Sequence, residues 1–151
     1  MDDSHLTMLI RDATADDLDA IIRIDEQISG IEKSAYWHDA YTEYQRHLDS
    51  RFFLVAEQDG EVMGFIMGEI RAWEFGSEPC GWVFAIGIKQ EIALSGIGSS
   101  LLDKLCDCFR QKGVTKVRTM TAKQANELLS FFRSQGLMAG PYLQLEKDLN
   151  E

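Results

Sequence analysis

The reading of the chain turns on Ile86-Gly87-Ile88-Lys89-Gln90-Glu91-Ile92-Ala93-Leu94-Ser95-Gly96-Ile97-Gly98-Ser99-Ser100-Leu101-Leu102. An apolar run breaks into a short polar loop, the loop ends in Gly96-Ile97-Gly98, and a helical pattern starts at once. Trp82 to Ile88 reads as a strand, with Trp82, Phe84, Ile86 and Ile88 on one face and Val83, Ala85 and Gly87 on the other. After the loop, Ile97, Leu101, Leu105, Cys108 and Phe109 mark one face of a helix that Gly113 ends. The first N–H groups of a helix have no partner inside it, and with the helix dipole they favour an anion. Gly96 and Gly98 carry no side chain to hold an anion off, and they admit positive φ. A tight strand-to-helix turn uses the same pair, so Gly-x-Gly alone leaves both readings open. Two phosphate loops do not fit. No Lys follows Gly98, as a nucleoside-triphosphate loop requires. Leu101 stands where a dinucleotide loop needs its third glycine.

Upstream, Met8 to Asp12 reads as a first strand, and Thr14 to Asp17 as a capping box with Asp in place of the usual Glu. Leu18, Ile21, Ile22 and Ile28 follow at helical spacing, and Gly30 stops that helix. A second helix carries the stripe Trp37, Ala40, Tyr41, Tyr44 and Leu48. Core packing is the plainer account of such a stripe, and a wall of a substrate pocket is the other. Phe52 to Glu57 and Val62 to Arg71 form strands joined by the hairpin signal Asp59-Gly60. Trp73 to Cys80, with Gly76 and Pro79, reads as a loop. Downstream, Val117 to Thr121 is a strand and Ala125 to Gln135 a helix ended by Gly136. A last segment holds Leu143, Leu145 and Leu149, its first part a strand. The order β-α-α-β-β-β-α-β-α-β implies a mixed sheet with helices packed on it, an α/β or α+β arrangement.

Bulk properties narrow the function. A chain of 151 residues fits one domain with a single core, so residues 1–151 are read as a single domain. A net charge of −10 argues against a nucleic-acid backbone as partner and is compatible with a cationic one. Cys80, Cys106 and Cys108 fit neither a disulfide framework nor a zinc site, so no metal is expected and a reducing cytoplasm is. No apolar run approaches the length needed to span a bilayer, and the acidic start Met1-Asp2-Asp3 is unlike a signal peptide. No membrane association is expected.

The glycine loop resembles the acyl-coenzyme-A loop of the GNAT N-acetyltransferase superfamily, Gln/Arg-x-x-Gly-x-Gly/Ala, which directly follows a strand. Here Ile86-Gly87-Ile88 ends the strand, Ala93-Leu94-Ser95-Gly96-Ile97-Gly98 forms the loop, and Ser99-Ser100-Leu101-Leu102 opens the helix. Phe131-Phe132-Arg133-Ser134-Gln135-Gly136-Leu137 resembles the family's Phe-Tyr-x-x-x-Gly-Phe helix end. The start, Ile10 to Asp17, and the hairpin of Leu54-Val55-Ala56-Glu57 with Val62-Met63-Gly64-Phe65 also resemble the family. So does the element order, over nearly the whole chain. The resemblance implies a central mixed, mostly antiparallel sheet flanked by helices. It implies acetyl-CoA as co-substrate, its pyrophosphate on the N–H groups of Leu94, Ser95, Gly96, Ile97, Gly98 and Ser99. The pantetheine arm would run beside the strand, bonding backbone groups of Ile86 and Ile88 around Gly87. An amine acceptor would attack the thioester directly in a ternary complex. Homodimers also fall within what the resemblance implies.

Two positions depart from the family pattern. Ala93 stands where relatives carry Gln or Arg, which leaves the pyrophosphate to backbone donors. Phe132 stands where relatives often carry the general-acid Tyr, and Tyr142 is the phenol offered in its place. An alkyl ammonium titrates near pH 10.4, so a base assists at neutral pH. The strand positions where relatives often place it hold Trp82 and Phe84, so the carboxylates offered are Glu69, Glu74 and Glu78. Trp37, Tyr41 and Tyr44, with Asp39 and Glu43, would give an acidic, aromatic mouth suited to a cationic acceptor. A non-catalytic acyl-CoA-binding or sensing module is the alternative, and a purely structural domain a further one.

Overall fold

The computed structural model describes residues 8–92 and 95–150. The chain divides into two units, Met1–Met120 and Thr121–Glu151.

The first unit is built on a five-stranded sheet of order β1-β2-β3-β4-β5. Its strands are β1 (Met8–Asp12), β2 (Arg51–Gln58), β3 (Glu61–Arg71), β4 (Cys80–Ile88) and β5 (Val117–Arg118). All pairs are antiparallel except β4 with β5. The β2–β3 turn has Asp59 at φ 53° and Gly60 at φ 79°. Positive φ at both central residues is what a two-residue hairpin matching the strand twist requires.

Helices α1 (Leu18–Ser29) and α2 (Ser34–Arg46) cover one face, and α3 (Ile97–Gln111) the other. With both faces covered, β2 and β3 read as continuous apolar runs rather than alternating ones. On the first face, Phe53, Val55, Phe65 and Met67 pack with Ile21, Ile24, Trp37 and Tyr44. The Trp37 ring meets Phe65 edge-on at 5.1 Å, and Tyr44 meets Phe53 at 5.8 Å. The buried Trp37 indole donates to Asp25 Oδ2 at 3.0 Å, so its N–H is paired. On the second face, Leu101, Leu105 and Phe109 lie against Gly64, Gly68 and Gly81.

Three details differ from the sequence reading of this unit. In α1, Ile24 is buried and Ile28 is exposed, so the covered face ends before the helix's last turn. Helix α2 ends at Arg46, so Leu48 falls outside the stripe and is exposed. In β4, the alternation breaks at Phe84. Met67 opposes Ala85 while Gly68 opposes Val83, so Phe84 is an extra residue, a β-bulge. Cross-strand partners share a face. Trp82 therefore lies with Glu69 and Ala85 with Met67, on the α1–α2 side, whereas Ile86 lies with Ile66 on the α3 side. The expected common face of Trp82, Phe84, Ile86 and Ile88 does not form.

The capping segment is tied into the sheet. Asp17 accepts hydrogen bonds from the Thr14 backbone N–H at 2.7 Å and from both terminal nitrogens of Arg11 at 2.8 and 2.9 Å. Arg11 Nε reaches Glu57 at 2.8 Å. Burial alone would push the Asp17 carboxyl up, but the Arg11 and Thr14 donors outweigh it and hold it below its ordinary 3.8. A depressed folded value means the unfolded chain binds the proton first. The stabilisation is therefore present above pH 3.8 and is lost as pH falls from there through the lower folded value. Asp17→Asn is expected to cost about 2 kcal/mol at pH 7. Its unfolding midpoint should fall less steeply than the wild type's between pH 5 and 3. Parallel acid-limb slopes in urea melts would overturn the assignment.

The second unit holds α4 (Asn126–Ser134), with Gly136 at φ 94° beyond its end. The expected strand 117–121 is reduced to the two residues of β5. No strand follows α4 among the described residues. Leu143, Leu145 and Leu149 are more than four-fifths exposed, so their alternation has no covered face to serve.

Candidate active site

The strand-to-helix junction forms as its residues dictate. Strand β4 leads into a 3₁₀ turn, Gln90–Ile92, and Gln90 Nε2 donates to the Gln27 carbonyl at 3.2 Å, fixing the loop to α1. Lys89 N–H bonds the Met63 carbonyl at 2.9 Å, and its ammonium pairs with Glu61. Ala93 and Leu94 lie outside the described residues, so the expected pyrophosphate contacts there have no described geometry. Gly96 is the N-cap of α3 at φ 90°, with nothing within 4 Å of where a Cβ would stand. Its carbonyl accepts the Ser100 N–H at 3.1 Å, which starts the helix. Gly98 is buried in the first turn, and Ser99 is half-buried beside it. Open space in front of a left-handed glycine at a helix N-terminus is the geometry an anion needs.

The edge of β4 supplies the second element. Strand β5 pairs only with Gly81 and Trp82. The Val83 carbonyl is taken by the Thr119 hydroxyl at 3.0 Å. From Phe84 to Ile88 no strand pairs with that edge among the described residues. Ile86, Gly87 and Ile88 lie in this stretch, their other edge bonded to β3. An extended ligand can add there as a further strand, with its anionic end toward the helix N-terminus.

The offered carboxylates differ sharply in their surroundings. Glu69 is 9% exposed, and both its oxygens are engaged: Oε1 by Arg51 Nη2 at 2.8 Å, Oε2 by Arg71 Nε at 2.9 Å. Glu74 is exposed on a short turn, 3.5 Å from Arg71 Nη1. Glu78 is exposed in the same loop, whose Ser77 hydroxyl donates to the Glu78 carbonyl at 2.8 Å. Glu43 is paired with Arg46 and His47 of its own helix end. Of the aromatic stripe, Trp37 and Tyr44 are core residues, and Tyr41 is half-buried at the margin. Burial first, then nearby Asp12, pushes the Tyr44 hydroxyl up to about 12. Phe132 is buried on α4 and Tyr142 is half-exposed, both in the second unit.

Sequence reasoning missed the Arg51–Glu69–Arg71 cluster and the Phe84 bulge. The arginine spacing, one residue before β2's aromatics and two after Glu69, carries no local signal, because the strands meet only through register.

Residues 18–137 match the model of the acetyltransferase (GNAT) family. Among solved structures, the aminoglycoside N-acetyltransferase AAC(6')-Iy in complex with CoA is similar at 16% identity and a TM-score of 0.85, with 99% of each chain covered. Glucosamine-6-phosphate N-acetyltransferase from Arabidopsis thaliana is similar at 17% identity and a TM-score of 0.74, covering 95% of this chain and 99% of that one. A transcriptional regulator from Bacillus halodurans C-125 has 18% identity and a TM-score of 0.80, covering 95% and 100%. These likenesses carry the fold.

Proposed function

The chain belongs to the acetyltransferase (GNAT) family, and from that premise we propose that it moves an acetyl group from acetyl-CoA to a primary amine. The observation that supports this most is the pairing of an unpartnered β4 edge with an open glycine N-cap on α3. The coenzyme's pyrophosphate would sit at Ser95 to Ser99 and its pantetheine along Ile86 to Ile88. The neutral amine nitrogen attacks the thioester carbon, the C–N bond forms as the C–S bond breaks, and the sulfur leaves with its electron pair and takes up the proton that the new amide nitrogen releases. A backbone N–H of β4 stabilises the oxyanion in between.

The acceptor enters neutral, so its proton must leave first. Glu74 and Glu78 are the exposed carboxylates of the loop, and proton acceptance is assigned to one of them. The acceptor is a small amine or a protein amino group. Tyr41, half-buried at the margin of the core, is the aromatic offered to it. Residues 1–151 are taken as one catalytic domain, since the family match runs across both units. Three free cysteines suit a reducing compartment, and the cytoplasm is the proposed location. Among the described residues, no helix is long and apolar enough to cross a membrane.

The test is thiol release from acetyl-CoA against a broad panel of amines and lysine peptides, beside a thermal shift. A ligand that binds only the folded state raises the melting temperature. A shift without turnover would make the chain a sensor, and a flat response at millimolar acetyl-CoA would sink both readings. Ala93→Arg restores the side chain that relatives use and is expected to tighten acetyl-CoA binding about fivefold by calorimetry, one charge-assisted hydrogen bond at a solvated phosphate. Unchanged or weaker binding would count against the placement of the pyrophosphate.

A further inference from the structure

We infer that Glu69 is a positioning residue rather than the base, and that it acts by holding Arg71 against the bulge residue Phe84. This rests on the acetyl-transfer reading for its kinetic consequence but not for its structural one. Glu69 is buried, and a buried carboxylate must be paired. Its two oxygens each accept a charge-assisted bond, from Arg51 on β2 and from Arg71 on β3. Taking a proton from an ammonium would mean giving up one of those bonds. Arg71, fixed through Nε, lays its guanidinium over the Phe84 ring at 5.0 Å. A chain of contacts thus crosses three strands and ends on the one residue of β4 that has no partner in the register. On the other flank of that residue, the Thr119 hydroxyl takes the Val83 carbonyl. The bulge is held from both sides. Below it β4 pairs with β5, and above it the strand edge stays open for the thioester arm. Bulges re-aim the backbone next to reactive sites, and their geometry needs outside support.

Four variants test this: Glu69→Gln, Glu69→Ala, Arg71→Lys and Phe84→Leu. Deuterium uptake of peptides covering 80–88 is expected to rise about tenfold in rate in Glu69→Ala and Arg71→Lys, since a lysine ammonium cannot lie flat on the ring. Glu69→Gln keeps an oxygen for Arg71 Nε and should recover most of the protection. Under turnover, kcat should fall about tenfold in Glu69→Ala and Arg71→Lys with the acetyl-CoA KM within twofold, because a misaimed donor costs transition-state rather than ground-state binding. Phe84→Leu should match them, and the pH profile should keep its acid limb in Glu69→Gln. Uptake at 80–88 equal to wild type in Glu69→Ala and Arg71→Lys would overturn the proposal even in a protein that acetylates nothing. Loss of the acid limb in Glu69→Gln would overturn it by making Glu69 the base. If no amine is turned over but the uptake changes appear, the catalytic reading fails and the positioning role stands.

Discussion

Gly96→Asp is expected to weaken acetyl-CoA binding about 100-fold while leaving the fold intact, because one carboxylate about 5 Å from a phosphate costs roughly 1–3 kcal/mol per charge pair. The position is chosen because a negative charge there acts with opposite signs on the helix and on the bound phosphate. Gly96 sits at φ 90°, and Asp tolerates the left-handed region better than most residues. Nothing lies within 4 Å of the new Cβ, so no clash is added. A negative charge at a helix N-terminus stabilises the helix. The same charge repels a pyrophosphate seated on those N–H groups. Gly96→Asn is the control, with the same backbone strain and shape but no charge, and should lose less than tenfold. Calorimetric titration of both variants decides it. Equal losses would mean that strain, not charge, sets the affinity and that the phosphate sits elsewhere.

The largest loss of stability is expected from Gly81→Val, about 3 kcal/mol or more, from overpacking of a sealed site. A Cβ at residue 81 would stand 2.3 Å from Cδ2 and 2.4 Å from Cε2 of Phe109. That ring has little freedom to retreat. It is 2% exposed, it lies 3.1 Å from where a Cβ on Gly68 would stand, and it meets the Phe52 ring edge-on at 5.6 Å. The backbone cannot yield instead, since Gly81 N–H bonds the Lys116 carbonyl at 2.8 Å and so carries the short β4–β5 pairing. Urea unfolding should show the loss. Adding Phe109→Ala should cost less in the Gly81→Val background than in wild type, because the two side chains compete for one volume. Strict additivity would show that the clash is relieved by movement elsewhere.

Much of this architecture was legible in the residues. The hairpin at Asp59-Gly60, the helix stops at Gly30 and Gly113, and the glycine loop are local chemistry, and local chemistry is written in short stretches. The limits were equally physical. A bulge is a property of two strands at once, and nothing in Val83-Phe84-Ala85 alone says that the partner skips a residue. Sequence alternation therefore runs straight through Phe84. The Glu69 cluster needs residues 51, 69 and 71 brought together by register, so its carboxylate looked as available as Glu74 and Glu78. The stripe on α2 was legible as a stripe, but a helix wheel cannot say whether Trp37 faces a core or a ligand. The tail from 141 alternates like a strand and forms none, because alternation is only a preference until something lies alongside it.

The bulge at Phe84 also sets how this strand can change over generations. A strand in uniform register reads its faces in one phase from end to end. Here the phase shifts by one at residue 84, so Trp82 and Ala85 share a side although they are an odd distance apart. Replacing Phe84 alters one side chain. Deleting it would restore a uniform two-residue phase with Gly81 and Val83, like Ile86 and Ile88, still on their present face, so what would be lost is the bend and extra twist that the bulge puts into the strand. The extra residue therefore serves the course of the strand beside its open edge, not the sorting of its faces. Among relatives that keep the open edge, the extra residue should persist as a fixed count between the two halves of the strand.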